Sequence, residues 1–148
     1  MPSPPEAIVA GAGDESALWA RSLRDPGDWE PVFSALAPEA FALGLETVYE
    51  AYLVHYGRPR LFAVSDRDEA VLLGDYLYAH GLVRVADAGG VTAVAAMAEL
   101  ISRCAALRAD SAPGDGEVWV ETARRLGGSP EPGEVSLALA RHSARVAT

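Results

Sequence analysis

Lysine, asparagine and glutamine are absent from this 148-residue chain, and cysteine occurs once, at Cys104. A single thiol permits no intrachain disulfide and no thiolate metal cluster, so the expected location is the reducing cytoplasm. Cations are scarce: Lys and Arg total 12 against 21 Asp and Glu, a net charge of −9. That balance argues against a nucleic-acid partner, because phosphate binding depends on clustered cations. It equally disfavours docking on anionic lipid headgroups. No uncharged apolar run reaches the roughly 18 residues of a membrane span, so no transmembrane segment is expected. The stretch Met1-Pro2-Ser3-Pro4-Pro5-Glu6 lacks the positive n-region and apolar core of a signal peptide. Arginine as the sole strong cation, beside missing amides, reads as coding bias or heat tolerance rather than chemistry.

Half of the residues are hydrophobic, enough to bury the core of one domain. Residues 1–6 read as a disordered, proline-rich leader and 7–148 as a single helical domain. Ala7 to Gly13 is apolar and glycine-rich, and Asp14 reads as the N-cap of a helix to about Arg24. A helical piece is expected from Trp29 to Leu36, with Pro31 in its first turn. Pro38 opens a helix to about Tyr56, where Phe41, Leu45, Val48, Tyr52 and Tyr56 follow helical spacing. Gly57-Arg58-Pro59 ends it, with glycine as a left-handed cap. Ser65 to Asp68 starts a helix to about Val85. From Ala70 to Val83 its ionisable residues are Asp75, two tyrosines and His80, so it reads as buried nearly all round. Gly74 in its middle costs about 0.5–1 kcal/mol relative to alanine, which implies a close helix contact. Asp87 to Gly90 reads as a turn, followed by helices over Val91–Arg108, Glu117–Leu126 and Glu134–Ala147. No alternating pattern lasts long enough for a sheet, so the expected fold is all-α, a compact bundle of about six helices.

Glu46 and Glu50, four residues apart, share one helix face and are candidate Mg²⁺ ligands. A solvated face explains the pair equally well, and no metal site is expected. Asp75, in an apolar stretch, needs a partner or access to water. His55 and His80 fall on different helices with no third ligand at metal spacing, which favours structural roles. Cys104 reads as a small core residue.

Two blocks, Gly57-Arg58-Pro59 and Gly74-Asp75-Tyr76-Leu77-Tyr78-Ala79, stand seventeen positions apart. With Glu69-Ala70-Val71-Leu72-Leu73 before the second block, this stretch resembles the trans-prenyl diphosphate synthases (polyprenyl synthetases). In that family a Gly-Arg-Pro turn precedes a helix reading Ala-Val-Leu-x-Gly-Asp-Tyr-Leu. The resemblance spans about residues 43–108 and implies part of the isoprenoid synthase fold. Where the family keeps its first aspartate-rich motif this chain has Glu46-Thr47-Val48-Tyr49-Glu50. The arginine pair before Gly57 is replaced by His55 and Tyr56, and of that diphosphate-gripping cluster Arg58 remains. Every family lysine is missing, as is the second aspartate motif.

The resemblance therefore implies a truncated relative with no catalytic residues, like the small subunit of a heteromeric synthase, bound to a catalytic prenyl diphosphate synthase chain or to itself. The interface implied by the family's dimerising helices comprises Val48, Tyr52, Tyr56, Ala70, Gly74, Leu77 and Gly81. No cofactor is expected. Two alternatives stand beside this reading: a reduced prenyltransferase using Mg²⁺ on Glu46 and Glu50, and a homodimeric helical scaffold with an unrelated binding role.

Overall fold

Serine and proline at the start of the chain nucleate a helix earlier than composition suggests. The computed structural model describes residues 2–147. There Ser3 forms a capping box with Glu6, its hydroxyl 2.6 Å from the carboxylate, and Pro4 occupies the first turn of α1 (Pro4–Glu15). The Ser3 cap puts Pro4–Glu6 of the expected leader, and the Ala7–Gly13 stretch ahead of the expected Asp14 cap, into helix; Met1 of that leader lies outside the described residues. Asp14 is not a cap. Ser16 caps α2 (Ala17–Arg21) instead, accepting the Leu18 N–H at 3.0 Å. The expected Trp29–Leu36 helix is reduced to a 3-10 turn at Ser34–Leu36, preceded by another at Pro26–Asp28. Its backbone N–H groups at Val32 and Ser34 donate to the Glu46 carboxylate, each at 3.2 Å, and so are lost to a helix.

The remaining helices are α3 (Ala42–Tyr56), α4 (Arg67–Ala109), α5 (Asp115–Arg125) and α6 (Pro132–Val146). Among the described residues the fold is all-α, with one isolated bridge between Leu23 and Phe62. The two helices expected on either side of Asp87–Gly90 are both present, continuous in span as α4 and separated by a kink at Gly90. Gly90 takes φ 68° and ψ −159°, a conformation open to glycine, and α4 resumes beyond it. Gly57 is no left-handed cap, since its φ is −149°. A β-carbon there would lie 2.8 Å from the Arg145 carbonyl oxygen, so the glycine admits α6.

Helix α3 is the centre of the molecule, buried without interruption from Gly44 to Leu53. On one side it meets Phe33, α5, α6 and the C-terminal half of α4; on the other it meets Leu61, Phe62, α1, α2 and the N-terminal half of α4. Its approach to α4 is close and reciprocal. A β-carbon at Gly81 would fall 2.5 Å from Val48, and one at Gly44 would fall 2.7 Å from Val85. The residues expected at an intermolecular interface are used here inside the chain. Val48, Tyr52, Gly74, Leu77 and Gly81 are buried between α3, α4 and their neighbours, and Tyr56 and Ala70 are half-buried.

Helix α4 is not buried all round. Val71, Leu72, Asp75, Ala79 and Val83 are exposed, because six helices supply too few neighbours to cover both sides of a 43-residue helix. By length and composition α4 is the one helix among the described residues that could cross a membrane; the core helix of a soluble protein passes the same test.

The close α3–α4 contact has a measurable consequence. Gly81→Val should destabilise the protein by about 1–3 kcal/mol, the usual cost of overpacking. Urea denaturation followed by helical circular dichroism reads this directly; an unchanged midpoint would show that the helices can separate at no cost.

Candidate functional site

Glu46 and Glu50 leave α3 one turn apart and point inward, not toward solvent. Arg60, from the segment after Gly57-Arg58-Pro59, enters between them and is fully buried. Its Nη1 donates to Glu46 Oε1 at 2.5 Å and its Nε to Glu50 Oε1 at 2.9 Å. The second oxygen of Glu46 accepts the Val32 and Ser34 N–H groups, and that of Glu50 accepts the Arg60 and Leu61 N–H groups at 2.9 and 2.8 Å. Arg60 also donates to the Glu30 and Glu46 carbonyls and stacks over the Trp29 ring at 4.0 Å. Burial opposes the charge on Arg60, but the two carboxylates outweigh it and hold the guanidinium above its ordinary pKa.

This corrects both readings of the glutamate pair. They are neither a solvated face nor an open Mg²⁺ site, because both are buried and every carboxylate oxygen already accepts from a protein donor. No group of three or more possible metal ligands occurs among the described residues.

Arg58 is exposed, and its Nη2 donates to the Ala144 carbonyl at 2.6 Å. With Arg24 it lines an open cleft of about 470 Å³ that also touches Phe62 and Ser65. The cleft holds none of the other candidate residues.

His55 lies against α4 at the spot where Gly74 has no side chain; a β-carbon there would enter its ring. The ring stacks on Tyr78 at 5.2 Å, and Nε2 is buried, 3.5 Å from Asp75 Oδ1, without a hydrogen bond. Gly74 thus serves the close contact that its sequence position implied, and Asp75 reaches solvent beside the His55 ring. Burial lowers the His55 pKa, and nearby Asp75 offsets this in part. His80 packs on Tyr76, with ring centres 4.4 Å apart. Cys104 is buried as expected, its thiol pushed up to about 12 by desolvation.

A second polar cluster escaped sequence reasoning. Asp115, at the start of α5, accepts hydrogen bonds on Oδ2 from Tyr52 at 2.5 Å, Arg108 at 2.6 Å and His142 Nε2 at 3.0 Å. Because a carboxylate only accepts, Nε2 carries a proton, and Nδ1 lies 2.8 Å from the Tyr49 hydroxyl. Burial pushes the Asp115 carboxyl up, but the donors from His142, Tyr52 and Arg108 prevail and hold it well below the carboxylate range. An open cleft of about 350 Å³ adjoins the cluster, lined in part by Arg108, Leu139 and Ser143. Both His142 nitrogens are engaged, so the network ties α3, α4, α5 and α6 together and leaves no base free. Its members lie up to 93 positions apart, and no local spacing announces them.

Compared with known proteins, the chain matches no family model, no curated protein and no solved structure.

Two outcomes follow from this geometry. Arg60→Leu leaves two buried carboxylates without their cation and should cost about 3–5 kcal/mol in urea denaturation. Making Glu46 and Glu50 apolar as well should recover only part of it, because the Val32, Ser34, Arg60 and Leu61 N–H groups then lose their acceptors. Mg²⁺ should leave the melting temperature of the unaltered protein unchanged; a rise would mean the glutamates can open toward metal.

The pH dependence has a definite sign. The depressed His55 pKa means that the fold disfavours the protonated ring, so stability is lost as pH falls through the ordinary value of 6.5. Asp115, also depressed, contributes stability above its ordinary 3.8 that is lost as pH falls further. Thermal melts should therefore decline in two stages on acidification. His55→Gln should flatten the first stage and spare the second; an unaltered first stage would assign it elsewhere.

Proposed function

We propose that the protein is a non-catalytic, prenyl-synthase-like subunit that works by associating with a catalytic prenyl diphosphate synthase chain. The single observation that carries this reading is the fate of Glu46 and Glu50. They occupy the positions of the first aspartate-rich motif in the resemblance, and their carboxylates are spent on Arg60 and four backbone N–H groups. A magnesium-bound diphosphate requires free carboxylate oxygens to bridge the metal. The frame of α3 and α4 is packed without one.

The absence of lysine and of a second acidic motif points the same way, since stabilising a departing diphosphate depends on such charges. The alternative of a reduced Mg²⁺-dependent prenyltransferase needs Glu46 and Glu50 in a solvent cleft, and their burial speaks against it. Association is supported by α4, which carries exposed apolar side chains along its outer side. In this role the chain would pack against the catalytic partner and shape or cap its hydrophobic product tunnel.

Co-expression with a full-length synthase from the same organism tests the reading. The expected outcome is a stable hetero-oligomer with altered activity or product length, while the chain alone turns over no allylic diphosphate. Separate elution and an unchanged product distribution in the presence of excess chain would refute it.

A further inference from the structure

Among the described residues five large apolar side chains are exposed, and four of them, Val71, Leu72, Val83 and Val91, belong to α4. Leu72 and Val83 are 58% and 59% exposed. With the exposed Ala79 and Ala86 they fall on one stripe, at helical offsets of 7, 11 and 14 residues, about 21 Å long at 1.5 Å per residue. Small alanines between larger side chains suit a second helix laid along the groove.

The charges along this stripe have one sign. Asp75 and Asp87 flank it on opposite sides, and Asp68 stands at its start, all exposed. Between Val71 and Ala98 the one arginine, Arg84, turns inward: it donates to the Thr47 hydroxyl at 2.9 Å and to the Ala7 carbonyl at 3.3 Å. A second copy would therefore bring acids to both sides with no cation between them, against a background of −9 per chain. An anionic bilayer would repel the same carboxylates.

We infer that this face of α4 docks an amphipathic helix of a different protein, one whose apolar stripe is bordered by arginine or lysine. The inference rests on the reading of the chain as an associating subunit and names the chemistry of the partner's surface: heterotypic and cationic at its rim. Apolar contact along Leu72, Ala79, Val83 and Ala86 supplies the attraction. Asp75 and Asp87 select the partner and set its register.

The test needs no synthase, so its outcome is separable from that of the subunit reading. The probes are a synthetic helical peptide with a leucine–alanine stripe bordered by arginine, and a twin bordered by glutamate. The full chain should bind the arginine peptide and not the twin, and that binding should weaken about tenfold between roughly 50 and 300 mM salt. Leu72→Asp combined with Val83→Asp should abolish binding, and Asp87→Arg should weaken it severalfold. Leu137→Asp, at the exposed site on α6, should leave it unchanged. All these positions are exposed, so the variants should keep the helical circular dichroism of the parent. Equal binding of the two peptides would overturn the inference, as would binding that survives the double substitution. So would a stable dimer of the chain alone that the double substitution disrupts, or attachment to neutral phosphatidylcholine vesicles through this face.

Discussion

The pairing of Arg60 with Glu46 and Glu50 is the constraint around which the rest of the chain is arranged. Two carboxylates and one guanidinium are costly to bury, and the cost is tolerable because every oxygen has a donor. Those donors come from two segments outside α3: the stretch around Val32 and Ser34, and the one at Arg60 and Leu61. Satisfying the charges therefore specifies where two irregular segments lie on α3. The isolated bridge between Leu23 and Phe62 and the Trp29 ring over Arg60 follow from that placement.

With α3 committed to charge on one side, its remaining faces take the helices. Reciprocal glycines at Gly44 and Gly81 let the backbones of α3 and α4 approach across Val48 and Val85. Aromatic rings of Phe33, Tyr49 and Trp119 fill the opposite space, with Phe33 stacked on Trp119 at 5.3 Å and Tyr49 edge-on to it at 5.2 Å. The Asp115 network then closes the bundle by tying α5 and α6 to Tyr49 and Tyr52. Polar groups in this protein thus specify alignment, while apolar contact supplies the bulk of the cohesion.

The polar side chains at the two buried clusters use their bonding capacity on one another and on nearby backbone groups, while the outer side of α4 leaves apolar side chains uncovered. The part of α4 that precedes Gly90 is uncovered on its outer side, at Leu72, Ala79, Val83 and Ala86. That the uncovered part is apolar and bordered by acids is a property of the side chains chosen there, and it is the feature on which the proposed association depends.

Periodicity alone determined the all-α class and the approximate places of α3, α5 and α6, because each has a repeating apolar stripe and a polar or proline-marked end. Gly74 was legible as a close contact, since a glycine in mid-helix has few other physical reasons to be there. The ends of α1 and α2 were misjudged because serine caps and a first-turn proline outweighed a glycine-rich composition. The break between the two halves of α4 was legible near Gly90, although it is a one-residue kink and not a four-residue turn. Tertiary structure alone decided the meaning of Glu46 and Glu50. On sequence, two glutamates at helical spacing are equally a metal face or a solvated one. Their true partner, Arg60, stands 10 and 14 residues away, beyond any helical repeat, and reaches them through a chain reversal that no local pattern encodes. The same holds for Asp115, His142 and Tyr49, which meet across helices distant in sequence. Local patterning sets which faces are apolar; where a buried charge finds its counter-charge is set by the path of the whole chain.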